Sequence, residues 1–137
     1  MRVVITNEQN FVPVDEAKIK QGLKLLPFWD KKFKLSVVYV DDAEIAKLNE
    51  RYLKHTGPTD VLSFPISNNE GEIIASGQTA FEEAKAREVE PEGELLLYTV
   101  HGLLHLMGYD DHTEEEAAEM HRQEQEIVTK MGYKWDW

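Results

Sequence analysis

The chain contains no cysteine, which excludes disulfides and thiolate metal sites and leaves His, Asp and Glu as the ligands available to a metal. It also lacks any apolar run approaching a bilayer span. Its first residues, Met1-Arg2-Val3-Val4-Ile5-Thr6-Asn7, turn polar after three apolar positions, too early for a signal peptide. A soluble cytoplasmic protein with no membrane association is the expectation. Positive charge is scarce: 15 Lys and Arg face 26 Asp and Glu, a net charge of -11. That field opposes non-specific attraction to bare nucleic acid, so an RNA substrate would require a local basic patch or a protein partner. Repeats, low-complexity tracts and Gly/Ser/Pro-rich linkers are missing as well, so nothing marks a domain boundary.

What is present reads as one domain over residues 1–137, with 42% apolar and 30% charged residues. Val3-Val4-Ile5 predicts a short strand, and Asp15 caps a helix with Ile19, Leu23 and Leu26 at helical spacing. The β-branched run Leu35-Ser36-Val37-Val38-Tyr39-Val40 predicts a second strand. It stops at Asp41-Asp42, which opens a helix placing Ile45, Leu48 and Tyr52 on one face. Val61-Leu62-Ser63-Phe64, closed by Pro65, and Glu72-Ile73-Ile74-Ala75 read as a hairpin around Asn68-Asn69-Glu70-Gly71. Ala80, Phe81 and Ala84 mark a short helix, and Pro91-Glu92-Gly93-Glu94 opens the next, nearly all apolar over 95–107 and therefore central and buried. Thr113-Glu114-Glu115-Glu116 caps a last helix carrying Ala117, Met120, Ile127 and Met131. These elements imply an α+β fold, a mixed four-stranded sheet packed with about five helices around a central His-bearing helix. No feature demands an oligomer, and a monomer is expected.

Within the central helix, His101 and His105 are four residues apart. That spacing separates side chains by about 40° around the axis and about 6 Å along it, the geometry of a two-histidine metal site. Gly108 can then take a left-handed conformation and turn the chain back, presenting Asp110, Asp111 or His112 to the same point. Catalytic zinc commonly takes three protein ligands and a water whose pKa falls to about 7, so hydrolysis is the chemistry this pattern suggests. A purely structural metal is the alternative. Two buried imidazoles without a metal would each need a separate hydrogen-bond partner.

The order His, His, Gly is that of the zincins, but Gly102 stands where proteases of that class carry the glutamate that acts as general base, which disfavours peptide hydrolysis. The segment resembles more closely the YbeY family of bacterial rRNA maturation factors, metal-dependent endoribonucleases with the signature His-Gly-x-Leu-His-Leu-x-Gly-Tyr-Asp-His. His101, Gly102, Leu104, His105, Leu106, Gly108, Tyr109 and Asp110 fall in place. A second block agrees: Leu48-Asn49, Tyr52, then Pro58-Thr59-Asp60-Val61-Leu62-Ser63-Phe64-Pro65 and Gly71-Glu72-Ile73. The resemblance implies a zincin-like metal site holding one zinc ion, and a single-strand-specific endoribonuclease acting in small-subunit ribosomal RNA maturation and ribosome quality control. It implies ribosomal RNA, the small subunit and a ribosome-associated protein as partners.

The chain departs from that pattern twice. The third histidine, His112, lies seven residues after His105 instead of six, and Asp111 occupies the family's spacing. Both are acceptable zinc ligands; His101, His105 and His112 are taken as the metal set, with Asp111 as the alternative to His112 and Asp110 and Asp111 as the catalytic carboxylates. Where the family carries an arginine suited to phosphate, this chain has Leu53. Arg51 and Lys54 flank it as candidate substrate-binding residues, although on a helix they point about 200° and 100° away from that position. The other basic residues, including Lys31-Lys32-Phe33-Lys34, read as a solvated face, and His55 and His121 as solvated histidines. Glu124 interrupts the last helix's apolar stripe; it is a weaker candidate base and otherwise a glutamate near solvent. Trp135 and Trp137 dock the C-terminus. Hydrolysis of another substrate, such as a peptide, and a non-catalytic ribosome-biogenesis role with a structural metal are the rival functions.

Overall fold

The computed structural model describes residues 1–135, so the expected docking of Trp137 lies outside the described residues. In chain order its elements are β1 (Arg2–Asn7), α1 (Glu16–Leu23), β2 (Lys34–Val40), α2 (Asp42–Leu48), β3 (Val61–Ser67), β4 (Glu70–Ser76), α3 (Gly77–Arg87), α4 (Pro91–Leu106) and α5 (Glu114–Lys130). The expected α+β fold with a mixed four-stranded sheet is observed, in the order β1-β2-β4-β3. β1 and β2 pair in parallel, as do β2 and β4, while β3 runs antiparallel to β4 and forms one edge.

Helix starts follow the local chemistry of the sequence. Asp15, Asp41, Ser76 and Thr113 each accept a hydrogen bond from the backbone N–H three residues on, satisfying a donor that has no partner within its helix. Most of the core lies between one sheet face and the helices. Val3, Ile5, Leu35, Val37 and Ile73 from the strands pack with Leu23 of α1, Leu95 to Leu104 of α4, and Met120, Ile127 and Val128 of α5. Trp135 packs partly buried against the same cluster. A smaller cluster of Val40, Ile45, Leu62 and Ile74 lies under α2.

Two local readings change. β3 does not stop at Pro65 but runs to Ser67, with Pro65 opposite Gly71 and a register shift before Ser67. An edge strand tolerates a residue with no N–H to donate, and the bulge absorbs the irregularity. Tyr52 leaves the apolar face of Ile45 and Leu48, because after Leu48 the helix widens into a π turn over Asn49–Leu53 that ends at Lys54 in a left-handed conformation (φ 57°). The extra residue in that turn rotates Tyr52 outward, where it is 57% exposed and meets Phe64 edge-on at 5.8 Å between ring centroids.

Helix α4 lies directly on β3 and β4. At Gly102 a Cβ would sit 3.1 Å from both Ile73 Cγ atoms and from the Ser63 hydroxyl, and that hydroxyl donates to the Gly102 carbonyl at 3.2 Å. Residue 102 thus faces the sheet, and a protease-type glutamate has no space there. Gly102→Glu is expected to lower the unfolding free energy by at least about 2 kcal/mol, through overpacking and burial of a carboxylate. Urea denaturation measures it, and wild-type stability in the variant would refute the close seating.

Candidate metal centre

The exposed end of α4 carries the site. His101 and His105 project from its last turns with side chains about a third exposed, rings nearly perpendicular at 84° and centroids 4.6 Å apart. The Nδ1 of His101 lies 2.6 Å from Glu124 Oε2, and the Nδ1 of His105 lies 3.1 Å from the Tyr109 carbonyl oxygen. A carboxylate and a carbonyl can only accept, so in both rings Nδ1 carries the proton. The two Nε2 atoms, 3.1 Å apart, then direct their lone pairs at a common point. Two nitrogens on one tetrahedral zinc, with bonds of about 2.0–2.1 Å, would be roughly 3.3 Å apart, so the pair fits such an ion closely.

The third donor comes from the turn after the helix. Gly108 takes φ 95°, and the Tyr109 N–H returns to the Leu104 carbonyl at 3.0 Å, doubling the chain back. Asp111 Oδ2 consequently lies 3.9 Å from His105 Nε2, and donor atoms of His101, His105 and Asp111 all fall within 4.8 Å of one another. His112 points elsewhere: its side chain is 81% exposed and its Nε2 lies 3.1 Å from Asp110 Oδ2. In this loop conformation the structure joins Asp111, not His112, to the histidine pair.

The sequence comparisons bear directly on this arrangement. The family model described as Endoribonuclease YbeY matches residues 4–132. The Endoribonuclease YbeY of Syntrophus aciditrophicus is 36% identical over 99% of this chain and 94% of its own length. The chain belongs to the YbeY family. The Endoribonuclease YbeY of Alkaliphilus metalliredigens is 34% identical over 95% of each chain. Among solved structures, the solution structure of a Thermotoga maritima protein aligns with a TM-score of 0.64 at 29% identity, covering 93% of this chain and 89% of that one.

Against the YbeY pattern, the position of the family arginine is occupied by Leu53, which lines an open cleft of about 380 Å³ together with Asp60, Val61, Ser63, His101 and His105. The expected substitutes do not line that cleft. Arg51 is exposed, with its guanidinium 5.4 Å from the centroid of the Tyr52 ring, and Lys54 is exposed at the end of the π turn. His55 and His121 are exposed as expected.

Glu124 is the residue that sequence reasoning misjudged. It is 1% exposed instead of near solvent, held between α5 and α4, and its second oxygen lies 3.2 Å from His121 Nδ1. Met120, Gln123, Glu124 and Ile127 are all buried, so Glu124 is part of the inward face and not a break in it. The sign was its place in that stripe, since a lone carboxylate facing a core requires a partner. Burial opposes the protonated form of His101, but the hydrogen bond and charge of Glu124 act against it, with Asp60 and Asp111 adding, and the net effect holds the His101 pKa above the ordinary histidine value.

Two outcomes follow for Glu124→Gln. With the fold retained, zinc affinity in competition with a chromogenic chelator should drop about 10–100-fold, because the amide orients the ring without the carboxylate's charge. In metal-free protein the raised His101 pKa contributes stability that is complete below about pH 6.5 and is lost as pH rises through the folded-state value. The urea midpoint difference between wild type and Glu124→Gln should therefore shrink as pH rises; a constant difference would contradict the pairing.

Proposed function

We propose that this chain is a metal-dependent, single-strand-specific endoribonuclease that acts on ribosomal RNA of the small subunit, with one zinc ion held at the end of α4. The observation that carries the reading is the His101–His105 pair, whose Nε2 atoms lie 3.1 Å apart while each Nδ1 has an acceptor of its own. Membership of the YbeY family supports the nuclease chemistry, since the relatives are themselves named endoribonucleases. Asp111 is the third donor in the loop conformation described, and His112 takes that place only if the chain from Gly108 onward rearranges. When bound, the metal supplies Lewis-acid polarisation of a phosphoryl oxygen and a lowered pKa for a water.

The protein's own groups do the rest. Glu124 and the Tyr109 carbonyl keep both imidazoles in one tautomer and one orientation, so no reorganisation is needed when charge develops on phosphate. Asp110, in the turn after α4 with its ligand atom within 4.8 Å of those of Asp111 and His112, would take the proton of the attacking oxygen. The RNA strand lies along the cleft between Leu53, β3 and α4. Arg51 and Lys54, outside the cleft, would meet the flanking phosphates.

With a net charge of -11 the protein grips naked RNA poorly, which favours action on the ribosome with a partner protein, as a cytoplasmic monomer. No described helix is long and apolar enough to cross a membrane. Peptide hydrolysis is disfavoured by Gly102, whose environment leaves no room for a glutamate base.

The test combines elemental analysis, circular dichroism and cleavage of a ribosomal RNA fragment carrying a single-stranded tail. Wild type is expected to hold about one zinc per chain and to cleave the tail. His105→Ala should keep the fold, lose the metal and lose at least about 100-fold in rate. Asp111→Ala should lose metal and His112→Ala retain it; the reverse result assigns His112 as the ligand. Chelation that unfolds the protein would instead make the metal structural.

A further inference from the structure

A second hollow adjoins the metal centre. It has a volume of about 490 Å³, within the range of small-molecule sites, and it shares His101, Asp60 and Val61 with the open cleft. Leu97 and Val61 give it apolar wall. Beside Thr79, Tyr98, His121 and Trp135 its polar lining holds four carboxylates, Asp60 and Glu83 at exposed positions and Glu94 and Glu124 buried, with Glu124 engaged by His101 and His121. Its cation, Arg87, already bridges Glu83 at 3.3 Å and Glu94 at 3.0 Å.

That composition selects by charge. Four carboxylates against one guanidinium leave the lining net negative, and that guanidinium is already bridged by two of them, so a phosphate or carboxylate entering the hollow is disfavoured. A flat, neutral group with N–H donors fits better: its faces contact Leu97 and Val61, and its edge donates to Asp60 or Glu83. Charge-assisted hydrogen bonds of that kind are the stronger class.

We infer that this hollow is a subsite for one unpaired nucleobase bearing an exocyclic amino group, next to the phosphate held at the metal centre. The inference rests on the nuclease reading and deepens it by naming a base preference. Cytosine and uracil have the same shape but differ at C4, where cytosine carries a donor and uracil an acceptor. A carboxylate opposite C4 accepts from cytosine and repels uracil, whose ring donor lies at N3 instead. A duplex would keep the base stacked and its amino edge paired, so the subsite also selects single strands.

The experiment measures fluorescence anisotropy of labelled oligocytidylate and oligouridylate of about six nucleotides, with 2′-O-methyl riboses, on the zinc-loaded full chain. The cytosine strand should bind about tenfold tighter, the difference expected for one hydrogen bond to a charged acceptor. Leu97→Phe, which narrows the hollow from α4 and does not line the cleft, should abolish the preference while leaving uracil-strand affinity within about twofold. Glu83→Gln, on the exposed side of α3, should reduce the preference without altering the fold and serves if Leu97→Phe does not fold. Equal binding of the two strands overturns the subsite, as does a preference that survives both substitutions. If the strands bind equally and wild type still cleaves ribosomal RNA, only the subsite fails. If neither strand binds and no RNA is cleaved, the nuclease reading fails with it.

Discussion

Helix α4 is buried over most of its length between the sheet and its neighbouring helices, and apart from its first two residues only its last turns reach solvent. Everything functional hangs from that constraint. Close seating at Gly102 sets the height and rotation of the helix on β3 and β4, and so determines that His101 and His105 emerge beside the edge strand. A helix free to roll would carry the two rings away from Asp60, Val61 and Ser63, and no cleft would form. The tight packing is therefore a positioning device as much as a source of stability.

The second constraint is electrostatic. A buried carboxylate is unfavourable unless paired, and Glu124 is satisfied by two histidines, one in the site and one at the surface. The same bond that resolves the burial of Glu124 protonates His101 at Nδ1 and frees its Nε2. For His105 the equivalent role falls to the Tyr109 carbonyl, available only because Gly108 turns the chain back over the helix end. The two imidazoles are thus oriented by different chemistry, one by a side chain of α5 and one by the backbone of the turn.

Acidity pervades the surroundings of this centre. Asp60, Glu83, Glu94, Asp110 and Asp111 lie around it, while Arg51 and Lys54 stand outside the cleft. A metal ion held at this cluster would carry much of the local positive charge.

Much of this was legible in the sequence. Caps at Asp15, Asp41 and Thr113, the apolar run through α4 and the His101–His105 spacing are local signals, and local signals survive folding because they depend on a few adjacent residues. What was not legible depended on neighbours distant in the chain. Pro65 continues a strand because β3 happens to be an edge, and Tyr52 turns outward because a π turn shifts the helical phase. Glu124 is buried because α5 lies against α4, and Asp111 joins the histidine pair because the turn at Gly108 closes in one particular way. The sequence by itself determined the ligand types, the two-histidine spacing and the set of secondary elements, all read from periodicity and side-chain chemistry. The tertiary structure alone decided which carboxylate meets the His101 ring, which lies beside the histidine pair and which line the adjoining hollow, since those positions are set by distances across packed elements that no local pattern encodes.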